Sequence, residues 1–104
     1  MNISEMFGID ARIEDAGLII PQPRFLEVGL ETIVTASGEQ VLAGLILLAY
    51  ENYFKNNELE TQAVRLTRTI LAPVQIGEVE KIEYGFTFTF AKPFDDPIFD
   101  PDEI

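Results

Sequence analysis

This 104-residue chain is predicted to be an α+β domain. One central apolar helix over about residues 39–56 is expected to pack on a small, mostly antiparallel sheet, with an extended N-terminal arm and an extended C-terminal tail. Three observations predict it. Ile82, Tyr84, Phe86, Phe88 and Phe90 alternate with Glu83, Gly85, Thr87 and Thr89, the two-residue period of a strand with one aromatic face. The run from Val41 to Tyr50 is apolar on all sides, which marks a helix covered on more than one side. From Pro93 onward, prolines and carboxylates punctuate the chain and prevent regular structure.

Taken in order, the first segment holds two short helix candidates, Ser4 to Phe7 and Asp10 to Ala16, with Asp10 as a cap and Gly17 as the left-handed stop. Leu18-Ile19-Ile20 then runs into Pro21-Gln22-Pro23, expected to be extended because proline disfavours the helical region for its predecessor. The stretch from Phe25 to Ala36 fits two periods. The β-branched run Thr32-Ile33-Val34-Thr35 and the internal Gly29 favour a strand, while Glu27, Glu31 and a start at Pro23 suit a helix.

Glu39 to Lys55 is predicted as a helix: Ser37 or Gly38 caps it, Glu39 faces its positive end and Lys55 its negative end. Glu58 to Ala72 again fits two periods, with threonines at alternate positions favouring a strand from about Ala63. Pro73 and Gly77 predict a loop before the aromatic strand, so these two strands are expected to pair as a hairpin. The length suits a single domain, with an arm over 1–24, a core over 25–92 and a tail over 93–104.

Composition narrows the chemistry. The chain has no cysteine and no histidine, which excludes disulfides, thiolate or imidazole catalysis, and metal sites built from those ligands. Its net charge is −11, and its basic residues are scattered singly, so a phosphate-tracking surface for nucleic acid is not expected. No basic segment leads into an apolar run at Met1-Asn2-Ile3-Ser4-Glu5, so no signal peptide is expected. The ten-residue run Val41–Tyr50 is half of the roughly 20 residues a membrane helix needs. A cytoplasmic or virion location follows as the expectation.

Paired carboxylates are the only candidate chemistry: Glu14-Asp15, Asp95-Asp96, and Asp100 with Asp102-Glu103. Metal or acid–base work needs rigid, partly buried carboxylates, and a proline-rich terminus supplies neither. No cofactor, metal site or catalytic residue is therefore predicted. The tail does carry apolar anchors between its charges: Phe94, Asp95, Asp96, Ile98, Phe99, Asp100 and Asp102 form the pattern of an extended docking segment. Leu18, Ile19 and Ile20 form a second candidate contact, because that triplet needs a groove on this chain or on a neighbour.

Leu42-Ala43-Gly44-Leu45-Ile46-Leu47-Leu48-Ala49-Tyr50, followed by Ile76-Gly77-Glu78-Val79 and Tyr84-Gly85-Phe86-Thr87, resembles small head-to-tail adaptor proteins of tailed phages. The resemblance implies a non-enzymatic ring subunit whose extended termini grip its neighbours, and it carries over no site residue. The expected function is a structural or assembly subunit, in the neck, tail or baseplate of a phage virion. Its expected partners are other protein subunits in a homo-oligomer or larger assembly. The alternative is an acidic binding module, an inhibitor or nucleic-acid mimic that docks on a basic protein surface.

Overall fold

The computed structural model describes residues 1–55, 64–70, 73–92 and 97–104. Its described residues form helices and small antiparallel sheets, so the class is α+β. Two compact units form, Met1–Thr61 and Gln62–Ile104.

The first unit opens with α1, Ile3–Phe7, whose N-cap Asn2 accepts a hydrogen bond from the Glu5 N–H at 2.8 Å. Gly8 ends it at φ 100° and ψ 173°, a conformation that is essentially reserved for glycine. The helical pattern expected over Asp10–Ala16 is overturned. Asp10 adopts φ 65°, which interrupts any helix, and Arg12–Glu14 forms strand β1, paired antiparallel with β2, Gly17–Ile19. Gly17 takes φ 122° where the chain re-enters the second strand.

The linker expected at Pro21-Gln22-Pro23 is also corrected. Pro21 is extended at φ −60°, ψ 143°, but it serves as the N-cap of α2, Gln22–Glu27, and Pro23 sits in the first turn, where no N–H is needed. The strand favoured over Phe25–Ala36 is absent. The helix continues to Glu27, Gly29 reverses the chain at φ 89°, and Ile33–Thr35 forms a 3-10 turn. A left-handed glycine divides the segment, so neither period runs its length.

Helix α3, Gly38–Lys55, forms as predicted. Ser37 and Gln40 build a reciprocal capping box: the Gln40 N–H donates to Ser37 Oγ at 3.2 Å, and the Ser37 N–H donates to Gln40 Oε1 at 2.8 Å. Gly44, Leu48, Ala49 and Tyr53 are its buried face, with Leu48 only 2% exposed. Helices α1 and α2 cover it. The α2 contact is close: a Cβ on Gly44 would lie 3.0 Å from Phe25 Cδ1 and 3.3 Å from Leu30 Cδ2. From α1, the Met6 carbonyl accepts from Asn52 Nδ2 at 3.0 Å. Cover on every side is not found, since Leu42 is 58% exposed. Two short helices cannot enclose all the faces of a five-turn helix.

Gly8 carries a specific expectation. A Cβ there would lie 2.6 Å from Arg24 Cδ, in addition to the unfavourable φ. Gly8→Ala is therefore expected to lower stability by about 1–3 kcal/mol, read as a lower midpoint of urea denaturation.

In the second unit, β3, Val64–Ile70, pairs antiparallel with β6, Tyr84–Phe90, as the expected hairpin. The register sets Val64 opposite Phe90, Leu66 opposite Phe88, Arg68 opposite Phe86 and Ile70 opposite Tyr84. All these side chains share one face, because directly opposed residues point the same way. Thr67 and Thr87 oppose each other on the other face. Ile82 and Glu83 fall outside the strand, so the aromatic alternation begins before the ladder does. In place of the loop expected around Gly77, β4, Val74–Ile76, and β5, Val79–Lys81, form a second hairpin about Gly77 at φ 64°.

Candidate interaction surfaces

The predicted contact residues fall in both units. In the first, Leu18 lies opposite Ile13 on the β1–β2 ladder, and both are exposed, making an apolar pair on one face of a short hairpin. Ile19 lies opposite Arg12, and Ile19 and Ile20 are half-buried. An ion pair between Arg12 Nε and Glu14 Oε1 at 2.6 Å lies along β1. Both partners are half exposed to water, so the pair adds little stability and serves to fix the side chains along the strand.

In the second unit, Phe94, Asp95 and Asp96 lie outside the described residues. Ile98 and Phe99 are 70% and 61% exposed. The Phe99 ring nonetheless meets the last aromatic residue of β6, with its centroid 5.9 Å from that of Phe90 at an interplanar angle of 47°. Asp100 caps a closing 3-10 turn, Pro101–Glu103: its Oδ1 accepts from the Asp102 N–H at 3.0 Å. The Ile104 N–H then donates to the Pro101 carbonyl at 3.3 Å. The end of the tail is thus a shaped segment, with Ile98, Phe99 and Ile104 displayed around an acidic turn.

Sequence reasoning reaches a third surface only through Ile82 and Tyr84 of the aromatic face and misses Ile70, Ile76 and Val79. Ile70, Ile76, Val79, Ile82 and Tyr84 are all exposed at one end of the β3–β6 ladder and on the β4–β5 hairpin. The available signal is Ile76-Gly77-Glu78-Val79, a two-residue glycine turn between β-branched residues. Arg68 lies over the Tyr84 ring at 5.6 Å from its centroid, a diagonal cation–π contact between the two strands.

Shallow depressions occur among the described residues of the first unit. One, of about 390 Å³, is open to solvent and lined by Ser4, Glu5, Gly8, Ile9, Asp10 and Asn52. Another, of about 200 Å³, follows the α2–α3 contact past Val28, Leu30, Ala43 and Leu47. Among the described residues, no group of three or more acidic, histidine or cysteine side chains is arranged to hold a metal ion. No helix among them is long and apolar enough to cross a membrane. Comparison with protein-family models, curated proteins and solved structures gives no match.

Proposed function

We propose that this chain is a non-enzymatic assembly subunit that joins other protein subunits, in a homo-oligomer or a larger structure such as the neck, tail or baseplate of a phage virion. The observation that carries the reading is the extent of apolar side chain left in water. Exposed large hydrophobics occur in both units, at Val34, Leu42, Ile70, Val79, Ile98 and Phe99 among others. Single exposed leucines are ordinary, but the grouping along the hairpins and the tail is what a buried interface requires. The tail adds a capped acidic turn whose ordering cost is partly met before binding. The virion setting rests on the resemblance to phage adaptor proteins.

Sedimentation velocity on the full chain and on a truncation ending at Lys92 tests this reading. The full chain is expected to sediment as a multimer, and the truncation as a smaller species at the same concentration. Equal sedimentation and equal denaturation midpoints for the two would remove the tail from the account.

A further inference from the structure

Acidic residues outnumber basic ones by 18 to 7 in this chain, yet two of its arginines stand apart from any carboxylate. Arg12 and Arg24 each hold a glutamate, at 2.6 Å and 3.1 Å. Arg65 and Arg68 are exposed and make no ion pair among the described residues. Both lie on β3, which has no acidic residue and pairs with the uncharged β6, so among the described sheets the β3–β6 ladder is the one with a net positive charge. The densest opposite charge on the chain is its tail, where Asp95, Asp96, Asp100, Asp102 and Glu103 occur with no basic residue between them.

The two ends of the ladder carry complementary chemistry. At one end Arg68 lies on the aromatic face, 5.6 Å from the centre of the Tyr84 ring, and Ile70 lies opposite Tyr84 with both exposed. A guanidinium over an aromatic ring keeps N–H donors for a carboxylate. Glu83, next to Tyr84 in the chain, falls outside the strand. At the other end Phe99 meets Phe90, and the tail turn leaves Ile98, Asp102 and Ile104 exposed, with Asp102 in no ion pair among the described residues. Tyr84 and Phe90 are the two ends of a seven-residue strand, about 20 Å apart at roughly 3.4 Å per residue. With Phe99 at Phe90 and a compact turn after it, the tail does not reach the Arg68 end of its own ladder. The tail of a neighbour meets no such limit. We infer that the tail turn of one copy docks on the Arg68, Ile70 and Tyr84 end of the next copy's ladder, with the Asp102 carboxylate on the Arg68 guanidinium and Ile98 and Ile104 against Ile70 and Tyr84. Opposite charge selects this occupant, and the apolar side chains on both surfaces supply the area that the contact buries. The contact runs head to tail, so it repeats from copy to copy and closes into a ring where the rotation permits.

The inference rests on the assembly reading above and is tested separately from it. Light scattering over a concentration series gives the mass of five full-length proteins: wild type, Arg68→Glu, Asp102→Arg, the double variant with both changes, and Arg65→Glu. Far-ultraviolet circular dichroism checks that each is folded. Arg65 lies on the other face of β3, opposite Thr89, and its reversal makes the same change in charge as Arg68→Glu. Arg68→Glu and Asp102→Arg are each expected to weaken self-association at least about tenfold, and the double variant to regain it to within about threefold of wild type. Arg65→Glu is expected to associate as wild type does. Single variants that keep the wild-type mass overturn this contact and leave assembly standing. A loss in the single variants without recovery in the double overturns the pairing of Arg68 with Asp102, and an equal loss in Arg65→Glu overturns its specificity. A monomeric wild type overturns the assembly reading, and this inference with it.

Discussion

Replacing Phe25 with alanine is expected to cost about 3–5 kcal/mol, a large share of the roughly 5–15 kcal/mol that holds a domain folded. Phe25 is 5% exposed, and its ring fills the space left by the missing side chain of Gly44, where α2 approaches α3 most closely. Truncation removes the ring and opens a cavity against a helix backbone that has no side chain with which to fill it. Leu26, the next residue of α2, is exposed, and Leu26→Ala is expected to change stability by no more than about 0.5 kcal/mol. Urea denaturation of the two variants measures the contrast. A midpoint shift of similar size in both would mean that α2 does not anchor on α3 through Phe25.

Leu66→Ala is expected to cost about 2–5 kcal/mol. Leu66 is 5% exposed and lies opposite Phe88 on the aromatic face of the β3–β6 ladder, beside the equally enclosed Val64. Its sequence neighbour Thr67 points to the other face, opposite Thr87, and is exposed. Thr67→Ala is expected to cost no more than about 1 kcal/mol, the range of a cross-strand pair in water. The same denaturation experiment reads both, and a Thr67 cost equal to that of Leu66 would place the buried face on the wrong side of the sheet.

How far the sequence alone reaches differs sharply along the chain. Helix α3 is legible because its signals agree: Ser37 and Gln40 at capping-box spacing, Glu39 and Lys55 at the matching ends, and no strand-like alternation. The β3–β6 ladder is legible for a similar reason, as threonines and aromatics alternate over full strand lengths. The region from Asp10 to Ala36 is not. Its strands are three residues long and its helix six, too short to display a period, and its direction is set by positive φ at Asp10, Gly17 and Gly29. Pro23 reads two ways, as part of an extended Pro21-Gln22-Pro23 link and as a helix start, and the second holds, because it occupies the part of a helix where its missing N–H costs nothing. Phe25 could not be recognised as an anchor, because its partner, Gly44, lies in another helix and is defined by the absence of a side chain.

The candidate contacts show the same division. The tail announces itself through aromatic residues set between carboxylates, and its described part keeps Ile98 and Phe99 exposed around a capped turn. The exposed end of the second unit announces little, since Ile70, Ile76 and Val79 read individually as ordinary strand residues. Only the pairing of Ile76 with Val79 across a glycine turn, together with the exposure of Ile70, Ile82 and Tyr84, groups these residues into one apolar surface.

Absolute mass of the wild-type chain, measured by light scattering coupled to size exclusion across a concentration series at moderate salt, tests the central claim most directly. The account predicts a fixed multiple of the 11.7 kDa chain that persists on dilution through the micromolar range. A mass of 11.7 kDa at every concentration would contradict it.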